Sequence, residues 1–383
     1  MPKRLLAAAL TLILFTPAVL AVPEASASID LSCKSAILIE KETGTILYDR
    51  DAHKKLPPAS VTKVMTMLLI MEAVDQGLIE WDDMVTASEA AAAKGGSQIY
   101  LKVGETMTVT DMVKSIAVSS ANDCACAMAE HIAGSEAGFV ELMNNRAAEL
   151  GMNDTHFVNC TGLDDEPNAA EHLTSAHDIA IMSRELLSNH PDIKKFTTIW
   201  MDTVRNGTFG LSNTNKLVRF YSGATGLKTG FTAKAGYCLS ASASRDGMEL
   251  IAVVMGSETS KDRFAACKQL LDYGFANYAL VRPELKQSSV KVKLGTAESV
   301  AAVPTQDPLL LIDKSQKSSV TSTMELDPMV TAPVSKGQRL GTLTLRSGEQ
   351  VLAQIPIVAD HAIPKLTWGQ MFIQVLKQIT MAR

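Results

Sequence analysis

Pro57-Pro58-Ala59-Ser60-Val61-Thr62-Lys63 runs straight into Val64-Met65-Thr66-Met67-Leu68-Leu69-Ile70-Met71. Two prolines close whatever precedes them, and the run that follows is apolar on nearly every side of a helix. A helix apolar all round is a buried one, so the stretch predicts a central helix that starts at Ser60 and ends near Gly77. Helical spacing then sets Ser60 and Lys63 one above the other on the same face. A serine in that place is, in the plainest reading, an N-cap. Ser120-Ala121-Asn122 and Lys228-Thr229-Gly230 follow downstream and give the pair company: a second hydroxyl, a carboxamide, and a second amine beside a hydroxyl and a glycine.

Side chains of these kinds suit nucleophilic acyl transfer. A serine hydroxyl needs a nearby base, and Lys63 can serve once its pKa falls roughly 3 units below the usual value of about 10.4. Burial and a second cation, Lys228, both push that way. Ser120 is then placed to relay a proton to the leaving amine, and Asn122 to hold substrate backbone and Lys63 together. Thr229 offers its hydroxyl to a substrate carboxylate beside the Lys228 charge, while Gly230 lets a substrate lie along the strand edge. The oxyanion falls to the N–H groups of Ser60 and Phe231.

The rest of the chain sets the frame. Its 383 residues suffice for two domains. An apolar share of 46%, a charged share of 20% and a formal charge of -5 describe an ordinary globular protein and argue against nucleic acid as partner. Seven histidines are scattered, none in a His-Glu-x-x-His pattern, so neither metal nor cofactor is expected. Residues 1–27 read as an export signal: Lys3 and Arg4, an apolar run from Leu5 to Ala21, then Ala25-Ser26-Ala27 as a cleavage site. The alternative is an uncleaved anchor. Export permits disulfides, yet Cys124, Cys126, Cys238 and Cys267 lie within apolar patterns and read as small buried hydrophobes.

Ser35 to Ile39 and Thr45 to Tyr48 predict a hairpin around Glu42-Thr43-Gly44. From Val61 to about residue 200 the periodicity is helical. One helix is capped by Thr110, one runs from about Asp123 to Ile132, one from Ser135 to Gly151, and one starts at Ser175 with Asp178. Strands follow at Gly226 to Gly230, Gly236 to Ser244 and Met248 to Met255, the last two joined by an Asp246-Gly247 turn. A helix from about Lys261 to Phe275 closes the domain, with Phe264, Cys267, Leu270 and Leu271 on one face. Strands at both ends and helices between imply an α+β fold: an antiparallel sheet with an inserted helical lobe, over residues 28–282. Residues 283–363 show short alternating runs (Val290, Val292, Leu294; Leu340, Leu343, Leu345; Ile355, Ile357) and predict a small all-β domain without a catalytic constellation. In 364–383, Trp368, Met371, Phe372, Val375, Leu376 and Ile379 share one helical face. With Lys365, Lys377 and Arg383 and no acid, this predicts an amphipathic helix on an anionic bilayer; the alternative is a helix docked on the β-domain.

The chain resembles the serine D-alanyl-D-alanine carboxypeptidases, the low-molecular-mass penicillin-binding proteins of bacterial cell walls. The resemblance runs through Pro58 to Lys63, Ser119 to Asp123 and Gly226 to Thr232. It extends to Asn213-x-Asn215-x-Leu217 and Lys261-Asp262-Arg263. It implies a penicillin-recognising fold, an acyl-enzyme on Ser60 and removal of the terminal D-alanine from peptidoglycan pentapeptide stems. It also implies covalent binding of β-lactam antibiotics, attachment to the outer face of the cell membrane, and help from Arg263 in carboxylate binding. Ala121 stands where the family often has Gly, and Phe231 where His or Tyr is common. Two other readings share the motifs. A serine β-lactamase would need an extra carboxylate, for which Glu166-Pro167 offers itself, but Ala169 and Ala170 stand where such enzymes have Leu-Asn. A non-catalytic penicillin-sensing wall protein would not need every chemical position intact.

Overall fold

The computed structural model describes residues 29–166 and 168–381, with backbone only for 374, 375 and 377–381. The stretch expected to be an export signal, residues 1–27, and Pro167 lie outside the described residues. Two strands, β1 (Ser35–Glu40) and β2 (Ile46–Arg50), form the expected hairpin. Its turn is tied by the Glu40 carboxylate, which accepts from the N–H groups of Glu42 (3.0 Å) and Thr43 (2.7 Å), and closes on Gly44 at φ +71°.

After a 3-10 turn over Ala59–Thr62 comes α1 (Lys63–Asp75), buried along nearly its whole length. Ser60 therefore sits in the tighter turn ahead of the α-helix, where residues three apart eclipse one another. The lobe continues with α2 (Val109–Ser119), α3 (Asn122–Ala133), α4 (Glu136–Glu149) and α5 (Ala176–Asn189). Ser135 and Ser175 are caps, as expected. Thr110 is not: Thr108 accepts from Asp111 N–H, and Thr110 instead donates to the Trp81 carbonyl at 2.9 Å. The cap lies two residues early because Thr106–Thr108 is a short strand paired with Met84–Thr86. A second small hairpin, Met201–Val204 with Phe209–Ser212, likewise interrupts the expected helical stretch.

The chain then returns to the sheet through β3 (Ala224–Thr232), β4 (Gly236–Arg245) and β5 (Met248–Ser257). Asp246 (φ +50°) and Gly247 (φ +81°) make the tight turn between the last two. The sheet is antiparallel in the order β2-β1-β5-β4-β3, so the first strands pair with the last and the helical lobe is an insertion. Ile37, Ile39, Ile251 and Val253 face that lobe and its core. The other face is covered by α6 (Ser260–Asn277), packed so closely that a Cβ on Gly274 would lie 2.4 Å from Leu250 Cδ1. On α6 the buried row is Arg263, Ala266, Cys267, Leu270 and Leu271; Phe264, expected there, is only half-buried. All six cysteines are free, and every one except Cys33 is buried.

Beyond α6, Tyr278–Val281 pairs with Leu310–Asp313. A six-stranded sheet follows, ordered Val320–Leu326, Arg339–Ser347, Gln350–Ala359, Ser299–Pro304, Ser288–Lys293, Met329–Thr331. Leu340, Leu343 and Leu345 are all buried although the first two are three apart, because a bulge between Arg339 and Gly341 resets the alternation. Leu294 departs from its run: it turns at φ +59° and is exposed. The last helix, α7 (Trp368–Met381), opens with a reciprocal cap between Thr367 and Gln370. No helix among the described residues is long and apolar enough to cross a membrane.

Candidate active site

Three segments converge at the free edge of β3. The first is the turn before α1. Lys63 Nζ lies 3.0 Å from Ser60 Oγ and donates to the Thr161 carbonyl at 2.9 Å. Lys63 is wholly buried, and burial pulls its pKa down to about 7, while Asp123 pushes the other way. About half of its amine is therefore free to act as a base at neutral pH. The second amine is shifted in the same direction. Lys228 is also buried, donates to its neighbour's carbonyl on Thr229 (2.9 Å), and has a pKa well below the usual lysine value, through burial first and then Lys63 and Arg263. Burial is the leading cause at both amines.

The second segment is the junction of α2 and α3. Ser120 holds the left-handed conformation (φ +65°, ψ +30°), which breaks the helix and turns the chain back. Its Oγ is buried with no hydrogen-bond partner among the described residues. Asn122 Nδ2 donates to the Gly95 carbonyl at 2.7 Å. A carbonyl can only accept, so this bond fixes the amide orientation, and the unpartnered Asn122 Oδ1 is the atom left for a ligand N–H. Asp123 accepts from Ile99 and Leu101 N–H and so holds the segment opposite.

The third segment is β3 itself. Thr229 Oγ1 donates to Thr214 Oγ1 at 2.7 Å. Thr214 is held there by its neighbours: Asn213 Nδ2 donates to the Ile199 carbonyl, and Asn215 Nδ2 to the Gly226 carbonyl. A Cβ at Gly230 would lie 2.6 Å from the Pro58 carbonyl and 3.1 Å from Ser60 N, so only glycine lets the strand meet the serine turn. Phe231 is half-exposed and stacks on Tyr237, centroids 4.2 Å apart. Arg263 is buried under the strand, donating to the Gly230 carbonyl at 2.9 Å and lying over the Tyr237 ring.

Eight of the nine residues singled out in the sequence thus fall on three neighbouring segments, and the ninth, Arg263, reaches the strand from α6. Two further contributors left no sign in the sequence. The Thr161 carbonyl is a backbone group, and His172 reaches Thr62 from 110 residues away. Glu166 is engaged elsewhere: it and Glu136 each approach Lys94 Nζ at 2.6 Å. Burial works against that ammonium, but the two carboxylates more than offset it, and its pKa is raised.

A serine hydroxyl held by a buried amine of lowered pKa beside an open strand edge is equipment for acyl transfer, which places the protein among serine hydrolases. Comparison with known proteins narrows the class. A family model for D-alanyl-D-alanine carboxypeptidase matches residues 21–259, and one for the penicillin-binding protein 5 C-terminal domain matches residues 278–365. The D-alanyl-D-alanine carboxypeptidase DacF of Bacillus subtilis is 43% identical over 376 residues, 95% of each chain. Penicillin-binding protein 5 from Haemophilus influenzae superposes with a TM-score of 0.74 at 31% identity, covering 88% of this chain and 99% of that one. Penicillin-binding protein D2 from Listeria monocytogenes, solved in its ampicillin-bound form, covers 64% of this chain and 98% of its own, with a TM-score of 0.56 at 33% identity. The chain belongs to the D-alanyl-D-alanine carboxypeptidase family of serine hydrolases.

Proposed function

We propose that this enzyme removes the terminal D-alanine from peptidoglycan pentapeptide stems through an acyl-enzyme on Ser60. The observation that carries the reading is the 3.0 Å approach of buried Lys63, its pKa drawn down to about 7, to Ser60 Oγ. Lys63 takes the hydroxyl proton as Ser60 Oγ attacks the carbonyl of the penultimate residue. The oxyanion forms against the N–H groups of Ser60 and Phe231, a donor pair of the kind whose members are each worth about 100-fold or more in rate. Ser120 returns the proton to the departing amine of D-alanine, and water then hydrolyses the ester and restores Ser60. Asn122 Oδ1 holds a substrate N–H. Lys228, Thr229 and Arg263 receive the terminal carboxylate at the strand edge beside Gly230.

A β-lactam ring enters the same chemistry and leaves the serine acylated. The β-lactamase alternative loses support because Glu166, its deacylating carboxylate, is committed to Lys94. Export by residues 1–27, a peptidase domain over 28–282, a β-domain over 283–363 and a membrane-lying helix over 364–383 complete the reading. The helix is supported by Trp368, 87% exposed, together with exposed Phe372 and Leu376. The enzyme would then work at the extracytoplasmic face, attached peripherally. The decisive test is Ser60→Ala with a fluorescent penicillin. The wild type should carry the label on the peptide containing Ser60, and the variant should fold without taking any. A labelled variant would overturn the mechanism.

A further inference from the structure

The Ser60 turn is held by a relay that the reaction itself does not use. Ala59, just before the nucleophile, sits at φ +49°, a conformation that a residue with a Cβ disfavours. Its carbonyl accepts from Thr62 Oγ1 at 2.8 Å, and Thr62 Oγ1 lies 2.8 Å from His172 Nε2. The far ring nitrogen, Nδ1, accepts from the Val158 N–H at 3.1 Å. A backbone N–H can only donate, so Nδ1 carries no proton and Nε2 does. The Thr62 hydroxyl has one proton, spent on Ala59, so it must accept from Nε2. The two constraints agree on a single tautomer. Thr62 and His172 are buried, and Phe157 meets the ring edge-on at 5.6 Å. Gly162, at φ +83°, closes the same turn: a Cβ there would lie 1.9 Å from the Ala59 carbonyl oxygen and 2.7 Å from Thr62 Oγ1. The neighbouring Thr161 carbonyl holds Lys63.

We propose that His172 is a positioning residue of acylation: as the neutral Nε2–H imidazole it locks Thr62 onto the Ala59 carbonyl and so fixes the Ser60 N–H and Oγ against Lys63. The inference rests on Ser60 being the nucleophile. Its ring is kept neutral by burial first, and by His156 and Lys63, which bring its pKa down to about 4. An imidazolium would present Nδ1–H to Val158 N–H, donor against donor, so the relay holds only in the neutral form.

The test compares His172→Phe, His172→Gln, Thr62→Val and Thr62→Ser on the full chain. It measures the acylation rate by a chromogenic penicillin across pH, with kcat and KM on an N-acyl-D-Ala-D-Ala peptide. Phenylalanine fills the ring's space without either bond; glutamine sets an acceptor and a donor side by side as the imidazole does. His172→Phe and Thr62→Val should each lower the plateau acylation rate about tenfold or more, with the loss in kcat and not KM. The double variant should be no slower than the worse single one, because both break the same relay. His172→Gln and Thr62→Ser should recover most of the rate. Acylation of a folded His172→Phe at the wild-type rate overturns the proposal. So does a shift of the acid limb in place of a lowered plateau, which would put His172 in the proton transfer. If His172→Phe does not fold, Thr62→Val against Thr62→Ser decides the same point. A wild type that takes no label on Ser60 would fail the nucleophile reading instead.

Discussion

Two buried lysines serve this site, and the one beside Ser60 sets the pH dependence. An exposed lysine amine is protonated until about pH 10.4; Lys63 is brought to about 7 by burial. Its free-amine fraction, and hence acylation by penicillin, should rise about tenfold per pH unit below 7 and level off above it. A rate still climbing at pH 9 would remove Lys63 as the base. Lys228, lowered by burial and by Lys63 and Arg263, gains from an arriving carboxylate, since charge-assisted hydrogen bonds are roughly twice as strong as neutral ones. An acyl-D-Ala-D-Ala acid should therefore be cleaved at least tenfold faster than its C-terminal amide (~1.4 kcal/mol or more), and a terminal L-Ala should fail. Thr229→Val removes the hydroxyl proposed above to meet that carboxylate. It should erase most of the acid-over-amide preference while Ser60 still reacts with small activated esters. Equal rates of the wild type on acid and amide would show that the strand end does not read a carboxylate.

Among the elements, α7 carries its own prediction. Backbone bonds from Leu366 N–H to the Leu294 carbonyl, and from Thr296 N–H to the Pro364 carbonyl, tie the segment before it to the β-domain. Truncation after Leu366 spares those bonds and should give a soluble, active enzyme that no longer sediments with anionic vesicles. High salt should release the full chain only in part, since apolar burial survives screening. A truncated chain that still sediments would put the anchor elsewhere. Most elements were legible because their signals are local: an apolar run behind two prolines, serine caps, an Asp-Gly turn. The Thr108 cap and the two small hairpins were not, because strands of three or four residues leave no alternation to read. The bulge at Arg339/Gly341 hid in the same way: it shifts side chains from one face to the other without altering composition.

For the whole molecule, the order of elements alone implied that first and last strands share a sheet, and they do. The site was legible as far as its residues lie in contiguous motifs. What escaped is what only folding brings together: Thr161 beside Lys63 and His172 beside Thr62, each roughly a hundred residues further along the chain. The sheet stops at β3, so one rim of N–H and C=O groups is left without a neighbouring strand. Such rims ordinarily invite other chains to pair. Here the serine turn crowds the strand so closely at Gly230 that the vacancy suits a thin, extended guest. On the reading proposed above, the enzyme is an unfinished sheet that borrows a sixth strand for each turnover. Cutting that strand within its last link leaves a free amino acid too short to hold a ladder, so the bond the enzyme breaks is also what lets its product go.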